Sequence, residues 1–95
     1  MNLHFEWDNK KAAANLQKHG VSFVEATKVF NDPMAISLFD EGHSEQEDRW
    51  ITMGQADHHR LVVAVHTWQE ADDNIHVRII SARRATAHES KNYEG

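Results

Sequence analysis

Two adjacent arginines, Arg83 and Arg84, close the alternating run Asn74-Ile75-His76-Val77-Arg78-Ile79-Ile80-Ser81-Ala82. Guanidinium forks match phosphate oxygens bidentately, so this placement suits an anionic ligand. Ile75, Val77 and Ile79 share one face at period two; burial of that face sets the strand register and delivers both arginines to a defined place. Lys18 and His19 end a helical stretch, where the helix dipole favours cations. Such a helix end can aim Lys18 as a phosphate clamp and His19 as a proton donor, although the dipole alone is sufficient structural reason for both.

Pairing the last two strands symmetrically about Ala71 places His66 opposite His76. Val63 and Val65 then share the core face with Ile79 and Val77, and the other face carries His66, His76 and Arg78, joined by Trp50 and Thr52. Two imidazoles, a guanidinium and an indole on an uncovered sheet face can stack a base and hold a phosphate. The structural alternative for Trp50, His76 and Arg78 is a solvated face with assorted polar side chains, and for Arg84 a solvent-exposed rim charge. Glu47 is the one acid to consider as a base, against membership of a solvated acidic loop. The eight histidines show no H-E-x-x-H, helical pair or triad spacing, so no metal site is expected. Without cysteine, thiol nucleophiles and thiolate zinc sites are excluded. The glycines are isolated and form no nucleotide loop.

The net charge of −5 lies in residues 1–48, where four lysines meet nine acids, while the remainder is balanced at six against six. A nucleic-acid binder usually shows a basic footprint. Any anion site here must therefore be local.

These residues need elements to position them. Asp8 suits an N-cap for a helix from Asn9 to His19, with Ala12, Ala13 and Leu16 on one side and Gly20 as its C′ residue. Ser22-Phe23-Val24-Glu25 reads as a capping box opening a second helix with Phe23, Ala26 and Phe30 on its apolar face. Asn31-Asp32-Pro33 ends it. The period then changes to two: Met34, Ile36 and Leu38 alternate with their neighbours, an acidic loop spans Asp40 to Asp48, and strands follow at Arg49–Gly54 and Arg60–Trp68. Thr86-Ala87-His88-Glu89 offers a capping box for a helix toward Tyr93, too short to be stable undocked. The pattern predicts one α+β domain over residues 1–95, two N-terminal helices packed on a mainly antiparallel sheet and a short C-terminal helix. No segment carries the features of a membrane helix or signal peptide, so a soluble cytoplasmic protein is expected.

Arg78-Ile79-Ile80-Ser81-Ala82-Arg83-Arg84-Ala85-Thr86 with Glu89 and Tyr93, Lys18-His19-Gly20-Val21-Ser22-Phe23, Val29-Phe30-Asn31-Asp32-Pro33, Phe5-Glu6-Trp7-Asp8 and Val63-Ala64-Val65-His66-Thr67 together resemble, in order and spacing, the BrnT-like toxins. The resemblance implies a RelE-like fold and a ribonuclease that needs no cofactor, because the ribose 2′-OH is the nucleophile. It implies His66 as base, His19 as acid, and Lys18, Arg49 and Arg83 as stabilisers of phosphorane charge; Trp50, His76 and Arg78 on the sheet face, and Arg84 at the strand end, are then the residues expected to contact RNA. The implied partners are a BrnA-like antitoxin, the RNA substrate, and operator DNA reached only through the antitoxin. The alternative is a catalytically weak or inactive toxin-like module that binds the antitoxin and takes part in operon autoregulation, since the C-terminal segment has His88, Ser90 and Asn92 where the family tends to carry arginine.

Overall fold

The computed structural model describes residues 2–95. The chain forms strands β1 (Asn2–Glu6), β2 (Ile36–Phe39), β3 (Arg49–Gln55), β4 (Leu61–Thr67), β5 (Gln69–Ala71) and β6 (Asn74–Arg84), with helices α1 (Asn9–His19), α2 (Phe23–Thr27) and α3 (Ala87–Glu94). The sheet runs in the order β1-β6-β4-β3-β2, with β5 paired to β6 off that path. Only β1 and β6 are parallel; the other pairs are antiparallel, as their short connections require. This is the expected α+β class.

Local chemistry explains the helix ends. Asp8 Oδ1 accepts from the amides of Lys10 and Lys11 at 2.8 and 3.1 Å, and Gly20 takes the left-handed conformation at φ 70° that ends α1. The helical segment after it is shorter than the periodicity implies. One α-helical turn, α2, runs into a 3-10 segment at Lys28–Asn31, where β-branched Val24, Thr27 and Val29 weaken helix propensity. Ser22 Oγ accepts from Glu25 N at 2.9 Å, but the Glu25 carboxylate pairs with Arg60 of the β4 approach instead of closing the capping box.

The core lies between this segment and the sheet. Val21, Phe23, Ala26 and Val29 pack against Val62, Ala64, Ile75, Val77, Ile79 and Ala82. Helix α1 departs from expectation: Leu16 is exposed, and the buried residue is Asn15. Strand β6 outruns β1, which pairs only with Asn74 to Arg78. Asn15 meets the backbone beyond that point, its Nδ2 donating to the Ala82 carbonyl at 2.8 Å and its Oδ1 accepting from the Ala82 amide at 3.1 Å. A second Nδ2 bond, 3.1 Å to the Val21 carbonyl, ties in the chain after α1. A side-chain amide thus completes the ladder where no strand continues.

Helix α3 docks without burying an apolar side chain of its own. Arg83 holds Glu89 bidentately at 2.7 and 2.9 Å, and the Tyr93 hydroxyl donates to Asp32 Oδ2 at 2.5 Å. Burial works to raise the Asp32 pKa, but bonds from the Gln55 amide, the Tyr93 hydroxyl and the Met34 amide hold it below the ordinary carboxylate value.

The register of β4 and β6 differs from a hairpin centred on Ala71. The turn lies at Asp72-Asp73, with Asp72 left-handed at φ 56°, and β5 pairs Gln69 with His76, Glu70 with Ile75 and Ala71 with Asn74. His66 therefore stands opposite Ile79, not His76, and a bulge at Val65/His66 restores Val65 opposite Ser81. A shift of turn centre reassigns faces because side chains alternate. His66, Trp50 and Thr52 lie on the helix-covered face, and His76 and Arg78 on the other.

Candidate functional site

The histidine expected at the surface is buried. His66 is 2% exposed, with Phe30 edge-on at 4.8 Å between ring centroids. Its Nδ1 lies 2.9 Å from the Thr67 carbonyl, an acceptor only, so Nδ1 carries the proton. Burial lowers its pKa, against a smaller rise from that carbonyl bond, so the ring is neutral at pH 7 and Nε2 accepts. Thr52 Oγ1, 2.7 Å from Nε2, donates to it, and Ser37 Oγ, 2.7 Å from Thr52 Oγ1, donates in turn. The β2–β3 and β3–β4 registers produce this chain by placing Ser37 opposite Thr52 and Trp50 opposite His66. Its outer end opens on a cavity of about 200 Å³ lined by Ser37, Trp50, His66 and Trp68. Phe39 braces Trp50 edge-on at 5.2 Å, and Phe30 stacks on Trp68 at 6.2 Å.

On the opposite face at the same end of the sheet, two guanidiniums converge. Arg78 pairs with the Glu47 carboxylate, and Arg49 Nη2 lies 3.8 Å from the same oxygen. Thr67, opposite Arg49, joins them by accepting the Arg78 amide on its hydroxyl at 3.0 Å. Arg49 Nε is buried without a partner. Lys11 and Asp8 of the α1 start line a small cavity here with Arg49, Arg78, Ile79 and Ile80. Glu47 is thus held by two cations and is not merely part of a solvated loop. A phosphate has the charge and fork geometry to take its place.

The other sequence-derived site residues lie elsewhere. Helix α1 runs alongside β6, from Lys11 beside Ile79 and Ile80 to Asn15 beside Ala82. The Gly20 carbonyl lies 3.5 Å from the Arg60 guanidinium before β4. Lys18 and His19 thus sit near the start of β4, whereas His66 is near its end, roughly 20 Å on at ~3.4 Å per residue. Arg83 stands opposite Val63 on the outer face, about 13 Å along β4 from the Arg49 position by the same spacing, and is committed to Glu89. Arg84 is exposed at the strand end. His76 is exposed and stacks on His4 at 5.1 Å. The structure brings Arg49 and Arg78 together and sets Trp50 beside His66, but does not assemble Lys18, His19 and Arg83 with them. Sequence reasoning missed Ser37 and Trp68 as cavity residues and Lys11 beside the guanidiniums. The Asp72-Asp73 pair, a better two-residue turn than any centre at Ala71, was the signal for the register.

Residues 7–89 match the family model described as the ribonuclease toxin BrnT of type II toxin–antitoxin systems. The chain belongs to the BrnT family. Its fold matches the crystal structure of the Brucella abortus ribonuclease toxin BrnT with a TM-score of 0.65 at 18% identity, over 90% of this chain and 99% of that one. No curated protein matches the chain in sequence. No helix among the described residues is long and apolar enough to cross a membrane.

Proposed function

We propose that this BrnT-family protein is an endoribonuclease toxin that cleaves RNA by attack of a ribose 2′-OH on the adjacent phosphorus, inhibits translation and growth, and is neutralised in the cytoplasm by a BrnA-like antitoxin. The observation that carries the reading is the convergence of Arg49 and Arg78 on one carboxylate. Bound RNA exchanges Glu47 for the scissile phosphate, and the two guanidiniums then offset the charge that grows on the phosphorane oxygens. The displaced Glu47 carboxylate remains beside the reacting ribose and accepts the 2′ proton as the 2′-oxygen bonds to phosphorus; the P–O5′ bond breaks, and the 5′-oxygen leaves as a hydroxyl with a proton taken from solvent water. His66, enclosed and with both nitrogens engaged, is a positioning residue in this scheme, not the base. Lys18, Arg83 and Arg84 contact RNA that extends toward the other end of the sheet, and His19 lies with them, away from the leaving oxygen.

The test is cleavage of a long single-stranded RNA. Activity should persist in EDTA, yield 2′,3′-cyclic phosphate ends and disappear on 2′-O-methyl RNA. Arg49→Ala and Arg78→Ala should each lower kcat/KM by about a hundredfold or more, as loss of a transition-state charge contact does, with Lys18→Ala and Arg84→Ala milder. Cleavage of all-deoxy substrate, or full activity in Arg49→Ala, refutes the scheme.

A second reading has its own support: Arg83 is tied to Glu89 and the chain is acidic, with net charge −5. A catalytically weak or inactive toxin-like module would still bind its antitoxin and contribute to operon autoregulation through the antitoxin's DNA contacts. Absence of cleavage together with tight antitoxin binding over the Arg49–Arg78 end would favour it.

A further inference from the structure

The cavity between the two indoles has a defined chemical polarity that follows from the hydroxyl chain running from buried His66 and Thr52 out to exposed Ser37. The Thr67 carbonyl fixes the His66 proton on Nδ1, Nε2 takes the Thr52 proton, and Thr52 takes the Ser37 proton. Ser37 therefore has no proton left to donate into the cavity and presents only acceptor lone pairs there. The other lining groups are Trp50, Trp68 and the His66 ring. At about 200 Å³, the cavity is smaller than the ~300–1,000 Å³ of sites for drug-sized ligands, so it fits one flat ring system and not a whole nucleotide. Trp50 and its β3 neighbour Arg49 point to opposite faces of the sheet, so the cavity is distinct from the Glu47 cluster.

We propose that the Ser37–Trp50–His66–Trp68 cavity is a binding site for one unstacked nucleobase, held against the indoles and selected by an edge N–H that donates to Ser37 Oγ. This rests on the ribonuclease reading for its biological ligand, and it adds the place where a base is bound and the polarity with which its edge is recognised. Adenine, with an exocyclic amine, satisfies Ser37. Unsubstituted purine on the same sugar has the same π surface and no N–H on the base, so it leaves Ser37 unpaired. Aromatic stacking itself is tolerant of base identity, so discrimination between these two probes reports the hydrogen bond alone.

The experiment titrates the full-length protein with adenosine 5′-monophosphate and with purine riboside 5′-monophosphate, following the three tryptophan indole N–H signals by NMR. The Trp50 and Trp68 signals should move with both nucleotides while Trp7 stays fixed, and the adenine compound should bind about three- to tenfold more tightly, the net effect of one hydrogen bond. Ser37→Ala, an exposed β2 position that should fold normally, should abolish that preference by weakening only the adenine compound. Equal affinity of both probes for the native protein overturns the proposal, as does an equal loss for both in Ser37→Ala, or movement of Trp7 alone. RNA cleavage assayed on the same preparations separates the two claims. Cleavage without nucleotide-induced shifts removes the base site and leaves the nuclease, whereas selective shifts without cleavage retain the base site and remove the nuclease.

Discussion

Asn15→Ala should be among the most damaging single changes in the α1 region, although it replaces a polar helix residue with the best helix former. The substitution leaves three buried or partly buried backbone groups without their partner: the Ala82 amide, the Ala82 carbonyl and the Val21 carbonyl. Each orphaned group costs ~1–3 kcal/mol, and taking the lower end, because water can enter at the end of β6, gives about 3 kcal/mol. The gain in helix propensity offsets about 0.5 kcal/mol. A net loss near 2.5 kcal/mol corresponds to a fall in Tm of roughly 10–20 °C for a domain of this size. Urea denaturation followed by circular dichroism measures it, and amide exchange at Ala82 reports the local opening. Asn15→Asp should fare no better, since a carboxylate set against two carbonyl oxygens loses both donor bonds. If Asn15→Ala costs less than about 0.5 kcal/mol, the level of an ordinary surface substitution, the edge-completing role is refuted.

The Glu89 carboxyl is held at about 2, chiefly by the hydrogen bonds from Arg83 and against the opposing effect of burial. Its pKa is depressed on folding, so the docking it provides is fully present above the ordinary carboxylate value and is lost as pH falls from about 4.5 toward 2; α3 amides should exchange faster across that window, and Arg83→Ala should already show fast exchange at pH 7. His66 behaves in the same direction for a different cause: burial lowers its pKa, the unfolded chain binds the proton first, and stability is complete above about 6.5 and declines as pH falls below it. His66→Gln should flatten that part of the urea-midpoint profile, and an unchanged slope would assign it to other histidines. At Gly54 an added Cβ would lie 3.0 Å from the Val29 carbonyl oxygen and 3.2 Å from the Val29 and Ala35 Cβ atoms, so Gly54→Ala should cost about 1–3 kcal/mol through overpacking, read as a lower urea midpoint with an unchanged m-value.

Local chemistry written in neighbouring residues was legible from the sequence alone. Asp8 and Gly20 bound α1 because capping and left-handed geometry need only residues a few positions apart. The Thr86–Glu89 capping box forms as its spacing implies. The change of period after Pro33 marks where helices yield to strands, and five ordered motifs pointed to the BrnT family. What the sequence could not determine depends on register and on side chains meeting across the fold. A turn centred at Asp72-Asp73 and not at Ala71 moves His66 from the open face to the covered one, because side chains alternate at every residue. No local pattern reveals that Glu47 will sit between Arg49 and Arg78, that Arg83 will be committed to Glu89, or that Asn15 will serve as a substitute strand. Those pairings join residues from separate elements, and only the packing of α1, α3 and the acidic loop against the sheet decides them. The same packing places Lys18 and His19 near the start of β4 and His66 near its end, a separation that the linear order of the motifs does not reveal.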